Sequence, residues 1–381
     1  MVISDRILFF INSIEDNEFN PFYIYDSQLI KAHCQSFVKL SYPHKSIHFA
    51  SMANVNPTFL KIVRGEGVHI FVNSLLHLNI ALEEGFRSNE IIFTSSALTA
   101  KTMQLINSHD VQANLDSPLQ LDRWQKLFPD KRVGIRCNIG DHVLPFSTHA
   151  GYFIGKESRL GFTADELSQI SCKKIIKGLH LYVGTDIFDI DYFIRCYKEL
   201  LKLATIFPDI EYLNFGGGFG VPENGEDTFD FKTYDAELVK ILDTFNKGRK
   251  SDIHLILEPG RIIGGNAGYF VCVVTDVKNR EGRQLIGVNA SSVQFSRPLL
   301  YPDIAKHPVA VLRNKKIIDK VPGITSAIYG CSTYSRDLLA RKTVLPVVFP
   351  GDIIILGNAG SYSASSHSTF LGFEKAAEYF V

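Results

Sequence analysis

The chain has no surplus of charge: among its 381 residues, Lys+Arg and Asp+Glu both number 40. That balance gives no reason to expect a nucleic acid or an anionic membrane as partner. No run of about 18 apolar residues occurs, so no transmembrane helix is expected. The opening residues Met1-Val2-Ile3-Ser4-Asp5-Arg6 lack a basic stretch and a small-residue cleavage site, which points to the cytoplasm rather than to secretion. The six cysteines (Cys34, Cys137, Cys172, Cys196, Cys272, Cys331) are scattered and form no CxxC pair. Neither a metal site nor a disulfide framework is expected from them, only reduced thiols. Internal repeats and low-complexity stretches are also missing. What is present is an ordinary globular balance, 45% hydrophobic and 21% charged, in a chain long enough for two domains.

Short β-branched runs alternate with helical patterns through the first two thirds of the chain. Strands are expected at Ile47–Met52, Val68–Asn73, Ile91–Thr94, Gln112–Leu115, Val133–Asn138, Gly178–Val183, Tyr212–Phe215 and Leu255–Glu258. Helices are expected at Pro57–Arg64, at Ser74–Glu84 with Gly85 just past its end, and at Asp191–Ala204. This spacing predicts an α/β fold, a (β/α)8 TIM-like barrel, with a doubly wound open sheet as the alternative. After Gly260 the texture changes to short strands: Tyr269–Val277, Gln284–Val288, Val309–Leu312, Lys315–Ile318, Val344–Val347 and Ile353–Leu356. Phe22–Tyr25 reads as one more strand of this β-domain. The predicted layout is therefore discontinuous: residues 1–35 in the β-domain, 36–265 in the barrel, 266–381 in the β-domain. The basic cluster Arg313-Asn314-Lys315-Lys316 reads as a solvated hairpin turn.

Two motifs at strand ends suit an anion. Leu213-Asn214-Phe215-Gly216-Gly217-Gly218-Phe219-Gly220 closes the seventh barrel strand, and glycines let backbone N–H groups approach a phosphate. Barrels often bind phosphate in the loops after strands 7 and 8. A plain tight turn is the alternative. Leu257-Glu258-Pro259-Gly260-Arg261 closes the eighth strand and sends a carboxylate and a guanidinium out together. Arg261 suits a phosphate, and Glu258 could hold a pyridine nitrogen protonated. A structural Glu–Arg ion pair is the alternative.

Several segments, in order, resemble the alanine-racemase-like, fold-type III pyridoxal phosphate (PLP) decarboxylases. Asn20-Pro21-Phe22-Tyr23-Ile24-Tyr25-Asp26 is similar to the family's opening strand. Gly178-Leu179-His180-Leu181-Tyr182-Val183-Gly184-Thr185 resembles Gly-x-His-x-His-x-Gly-Ser, and Ser158-Arg159-Leu160-Gly161-Phe162 resembles Ser-Lys-Phe-Gly. Asn358-Ala359-Gly360-Ser361-Tyr362 resembles the C-terminal Gly-Ala-Tyr. The resemblance implies PLP as cofactor, with its phosphate held by Gly216, Gly217, Gly218, Gly260 and Arg261, and with Thr185 and Tyr362 nearby. It places Glu258 on the pyridine nitrogen and Arg136 under the barrel mouth. Ser296-Arg297-Pro298-Leu299-Leu300-Tyr301 resembles the Arg-Pro-x-x-Tyr of diaminopimelate and carboxynorspermidine decarboxylases, where Arg and Tyr bind a substrate carboxylate. A surface ion pair is the alternative for Arg297. The implied protein is a cytoplasmic homodimer with shared sites, because the family's equivalent of Cys331–Asp337 reaches the other subunit.

The departures cluster on the reacting side of the cofactor. Phe49-Ala50-Ser51-Met52-Ala53-Asn54 resembles Tyr-Ala-x-Lys-Ala-Asn, so Met52 stands where the family's lysine forms a Schiff base. Tyr182 replaces the histidine that would stack on the ring. Gly330-Cys331-Ser332-Thr333-Tyr334-Ser335-Arg336-Asp337 puts Thr333 at the catalytic cysteine's place, with Cys331 two residues earlier. Phe71 replaces an Asp that often ends the second strand, and Val288-Asn289-Ala290 stands where Asn-Asp-Gly is usual. Several changes together argue against one designed substitution at 52. Two readings stay open: an amino-acid decarboxylase with atypical or relocated groups, for which Lys61 and Lys101 are candidates, or an inactive homologue binding PLP, a PLP adduct or another phosphorylated ligand.

Overall fold

The alternation of β-branched runs and helices resolves into a closed barrel in the computed structural model, which describes residues 1–15, 19–144, 152–222, 228–302, 305, 307–318 and 323–381. The chain divides into two compact units. One comprises Ala32–Gly220 and Phe229–Gly260; the other comprises Met1–Lys31, Val221–Thr228 and Arg261–Val381. The boundaries drawn from sequence differ from these by a few residues, and Val221–Thr228 joins the second unit rather than the barrel.

Strand β1 (Phe22–Tyr25) belongs to the second unit. The barrel is built from β2 (Lys45–Ala50), β3 (His69–Val72), β4 (Ile91–Thr94), β5 (Gln112–Leu115), β6 (Val133–Arg136), β7 (Ile176–His180), β8 (Tyr212–Asn214) and β9 (His254–Leu257). Each pairs in parallel with the next, and β9 pairs with β2 to close the ring. Apolar side chains on both faces of these strands suit a sheet covered by helices outside and filled within. Tyr212 fills part of the interior. A Cβ on Gly134 or Gly178 would fall on its ring or hydroxyl, so those strands carry no side chain there. The Tyr212 hydroxyl donates to Asn114 Oδ1 at 2.6 Å, and Asn114 Nδ2 donates to Thr94 Oγ1 at 2.9 Å. Burial pushes the Tyr212 pKa far up, so it stays a neutral donor.

Local signals set the helix ends. Asn56 caps Pro57–Gly65 by accepting from Thr58 N, and Ser74 caps Leu75–Glu83 by accepting from His77 N. Gly85, at φ +82°, ends the latter helix; Gly85 N donates to Leu82 O and Phe86 N to Ala81 O. Among the described residues no helix is long and apolar enough to cross a membrane.

The second unit holds β10 (Gly268–Arg280), β11 (Arg283–Val288), β12 (Val309–Arg313), β13 (Lys316–Ile317), β14 (Ile324–Tyr329), β15 (Leu338–Leu345), β16 (Ile353–Leu356) and β17 (Ala377–Phe380). The sheet runs β13-β12-β16-β10-β11-β14-β15, with β1 joining β10 and β17. Pairing is antiparallel except for β11 with β14 and β1 with β17. Its core gathers Phe22, Ile24, Tyr269, Val271, Leu312 and Ile355 under Ile7 and Ile11 of the helix Asp5–Ser13. That helix, β14 and β17 are not anticipated from sequence. Strand β14 carries Thr325, Ser326 and Ala327, a weak apolar signal whose pairing is tertiary. The strand expected at Val344–Val347 instead ends at Leu345, because Pro346 has no N–H to donate. The basic cluster is a hairpin turn between β12 and β13, with Asn314 and Lys315 at φ +50° and +64°.

Candidate active site

The barrel strands all end at one mouth, the face where the following loops carry chemistry. Met52 lies there, half-buried, in the short turn Ser51–Ala53 after β2. Ala50 N donates to Pro259 O at 3.1 Å, which ties this turn to the segment after β9.

Glu258 is the centre of the mouth. It is 4% exposed. Its Oε1 accepts from Asn214 Nδ2 at 2.6 Å, and its Oε2 lies 3.2 Å from His180 Nε2. A carboxylate only accepts, so the hydrogen of this contact sits on His180 Nε2, and the ring's other polar atom is Nδ1. That Nδ1 is shielded from water and has no hydrogen-bond partner among the described residues. Arg136, the last residue of β6, holds its Cζ 6.0 Å from the Tyr182 ring. Its Nε and Nη2 are likewise shielded and without hydrogen-bond partners among the described residues. Burial lowers the Arg136 pKa, while the Asp116 and Glu258 carboxylates pull it up. Asp116 is occupied by the Ser96 hydroxyl at 2.6 Å and by Gly161 N at 3.0 Å. Tyr182 also meets Phe153 edge-on at 4.9 Å.

The glycine turn after β8 is packed backbone on backbone. Gly216 and Gly218 take φ +67° and +107°, conformations that disfavour other residues. A Cβ on Gly216 or Gly217 would fall on the carbonyl oxygens of Leu181 and Glu258, and one on Gly218 would come 2.6 Å from Gly184 O. Thr185 is half-buried in the loop after β7. Gly260 ends the barrel unit. Thus the structure brings Arg136, Tyr182, Gly216, Gly217, Gly218 and Glu258 to one end of the barrel, beside the turn that carries Met52.

The remaining candidates belong to the second unit. Arg261 is 6% exposed, and its carbonyl accepts from Ser361 Oγ at 3.1 Å. Tyr362 follows at φ +55°. Arg297 is 4% exposed and lies 5.5 Å from the Tyr301 ring. The His307 ring stands near both arginines; burial first, then the charges of Arg297 and Arg261, push its pKa down to about 3. Cys331 and Thr333 are exposed on a turn, lining a cavity of about 620 Å³ with Asp276, Lys278 and Tyr334. Asp337 organises the turn, accepting from Ser292 N at 2.6 Å, Ser291 Oγ and Ser332 N at 3.0 Å and Ser332 Oγ at 2.5 Å. Partial burial and the Asp337 carboxylate push the Cys331 thiol up, so it is protonated at neutral pH.

Lys61 and Lys101 are not relocated anchors. Both are exposed on helices, and Lys61 pairs with Glu84 at 3.7 Å. Among the described residues no lysine is buried. Sequence reasoning assigns no role to Asn214, His180, Asp116 or His77, although Asn214 and His180 lie inside motifs it singles out. Their signal is position at a strand end or helix start, which becomes specific only once the barrel closes.

Residues 27–265 match the family model "Pyridoxal-dependent decarboxylase, pyridoxal binding domain". The diaminopimelate decarboxylase of Aquifex aeolicus is 28% identical over 95% of this chain and 86% of its own length. That of Methanothermobacter thermautotrophicus is 26% identical over 97% and 88%. Among solved structures, Helicobacter pylori diaminopimelate decarboxylase complexed with L-lysine has TM-score 0.86 at 22% identity, covering 98% of this chain and 93% of its own. Vibrio vulnificus lysine/ornithine decarboxylase complexed with putrescine has TM-score 0.83 at 18% identity, covering 100% and 99%. With more than half of its length matched by the family model, the chain belongs to the pyridoxal-dependent decarboxylases, whose cofactor is pyridoxal 5'-phosphate.

Proposed function

We propose that this protein holds pyridoxal 5'-phosphate without a covalent bond at residue 52 and acts as a carbon–carbon lyase on an amino acid bearing a distal carboxylate. The observation that carries the reading is the mouth itself. It combines a buried carboxylate, a guanidinium with two shielded nitrogens that have no hydrogen-bond partner among the described residues, and a backbone-lined glycine turn, next to a methionine. Buried donors without partners are costly unless a ligand satisfies them, which fits an anionic aromatic cofactor.

In the barrel unit, Gly216, Gly217, Gly218, Gly260 and Thr185 serve the phosphate, Glu258 the pyridine nitrogen, and Tyr182 the ring face, with Arg136 beside Tyr182. In the second unit, Arg261 and Tyr362 are the phosphate residues and Arg297 with Tyr301 the substrate's carboxylate residues. The protein works as a homodimer, Cys331 and Thr333 being offered to the partner's site. Bound pyridoxal phosphate supplies an electron sink for the pair left by departing CO2. Glu258 keeps the ring nitrogen protonated and is itself fixed by Asn214 and His180. Relatives named for diaminopimelate support the substrate class, and the lysine and putrescine in the solved neighbours mark the alternatives to assay.

A second reading, an inactive homologue that binds pyridoxal phosphate or another phosphorylated ligand, is favoured by Met52 and by the absence of a buried lysine among the described residues. Three measurements test the proposal, and CO2 release is the one that separates the two readings. Borohydride reduction with peptide mass mapping should leave residue 52 unlabelled. Assays of CO2 release from diaminopimelate, lysine, ornithine and arginine should show turnover, and gel filtration should show a dimer. Cofactor binding with no CO2 from any of these substrates would select the inactive reading.

A further inference from the structure

The turn that carries Met52 also carries a hydroxyl already engaged by an imidazole. Ser51 Oγ lies 2.9 Å from His77 Nδ1. Ser51 is 1% exposed, so bulk water does not compete for the hydroxyl. His77 is half-buried at the third position of the helix Leu75–Glu83, where its backbone N–H donates to the cap Ser74 at 3.2 Å. The cap pins the helix start and with it the ring. The pair bridges the ends of β2 and β3, whose register Ala50–Phe71 sets the spacing. Through Ala50 N and Pro259 O the same turn adjoins the segment that begins at Glu258. Burial lowers the His77 pKa, and no charged group among the described residues adds to or offsets that effect, so the ring is neutral at pH 7. A neutral imidazole carries a proton on one nitrogen and a lone pair on the other, which is what a relay needs.

We propose that Ser51 and His77 form a proton-transfer pair at the barrel mouth, Ser51 Oγ meeting the substrate and His77 positioning and resupplying it. The inference rests on the decarboxylase reading and names the group that does the acid–base work that Met52, which carries no amine, cannot do. In the step, the bond from the α-carbon to the carboxylate breaks and CO2 leaves without the bonding pair. That pair takes the proton of Ser51 Oγ to form the new C–H bond. Ser51 Oγ recovers a proton from His77 Nδ1, and His77 takes one from solvent at Nε2. The ring changes tautomer but not charge, and the net proton comes from water.

The step has a microscopic reverse that needs no CO2 loss: exchange of the α-hydrogen of the amine product in D2O. The holoprotein is incubated with cadaverine or putrescine in D2O, and deuterium at the α-carbon is followed by NMR alongside CO2 release from the parent amino acid. Ser51→Ala and His77→Ala should lose exchange and steady-state amine formation by about 10²-fold or more, as expected for a missing acid–base group. They should still release about one CO2 per site in the first turnover and bind pyridoxal phosphate as the wild type does. Ser51→Thr should retain most of the exchange, and added imidazole should restore part of it to His77→Ala, which a purely structural role would not do. Wild-type exchange rates in both alanine variants overturn the pair while leaving the decarboxylase reading intact. Exchange in the wild type without any CO2 release overturns that reading and leaves the pair standing. A wild type that does neither overturns both.

Discussion

The two ends of the barrel both bury polar side chains, but they satisfy them differently. At the N-terminal end, Ser46 Oγ lies 3.0 Å from His48 Nε2 and 2.9 Å from His254 Nε2. His48 Nδ1 faces Ile70 O at 3.4 Å, and a carbonyl can only accept, so Nδ1 carries the proton. Ser46 therefore donates to His48 and accepts from His254, a closed set of neutral groups. His69 stacks edge-on against His48 at 5.0 Å, and its Nδ1 is shielded without a hydrogen-bond partner among the described residues. At the C-terminal end, Glu258 is shared by two partners, while Arg136 Nε and Nη2 and His180 Nδ1 have no hydrogen-bond partner among the described residues. The floor spends its hydrogen bonds on itself and serves stability. Among the described residues the mouth leaves polar atoms unused, as the proposed cofactor role requires.

The strongest way to break this comparison is to remove the hub of the mouth. Glu258→Ala should lower turnover by about 10²–10⁴-fold, the range for a group acting on charge in the reaction. It should also cost about 1–3 kcal/mol of stability, because Asn214 and His180 lose a buried partner. Steady-state kinetics and urea denaturation of the same variant test this; unchanged turnover would put the chemistry elsewhere. Next in size is a gain. Met52→Lys puts an amine in the half-buried turn beside Glu258, and borohydride reduction should then place a pyridoxyl label on residue 52. Cofactor retention through gel filtration should improve by at least about tenfold, or about 1.4 kcal/mol. A label on no residue, or on a surface lysine, would mean that the turn does not face the cofactor.

The barrel was legible in sequence because its strands are short apolar runs separated by capped helices, and caps such as Ser74 and breakers such as Gly85 are local signals. The glycine turn after β8 was legible as a turn for the same reason. The hub was not. Glu258 stands 78 residues from His180 and 44 from Asn214, and only closure of the ring makes them neighbours. Ser51 and His77 are 26 residues apart on consecutive strand–helix units, and neither residue type is diagnostic alone. The helix Asp5–Ser13 was missed because its apolar stripe is short and its burial depends on strands late in the chain.

The floor also makes a pH prediction. Burial lowers the pKa of His48 well below its ordinary value, with His69 and His254 opposing its charge; burial likewise lowers His69 and His254. Glu90 favours and Arg87 opposes a charge on His69, and His44 opposes one on His254. Above about pH 6.5 folded and unfolded chains are both neutral at these sites, and the stability is fully present. Below it the unfolded chain takes up protons that the folded one resists, so stability falls as pH falls toward the depressed folded pKa values. His48 alone should contribute up to about 1.4 kcal/mol per pH unit, and the more exposed His69 and His254 only a fraction of that. Thermal unfolding at pH 7.5, 6.5 and 5.5 should show the loss in the wild type and a flatter profile in His48→Phe. An equal slope in both would remove the floor from the account.

Ser46→Ala gives the smallest effect and the sharpest contrast. It deletes one hydroxyl and strands one acceptor, His48 Nε2, and one donor, His254 Nε2–H, on a closed network. The cost should be about 1 kcal/mol at pH 7.5, the ordinary worth of a buried hydrogen bond. Because the lost hydroxyl could also accept from a protonated His48, its removal should leave the acid sensitivity in place or steepen it. Turnover and cofactor affinity should stay at wild-type values, since no group at the mouth touches Ser46. A drop in turnover without a drop in stability would show that the floor is coupled to the chemistry, and the division between a self-satisfied end and a ligand-awaiting end would have to be redrawn.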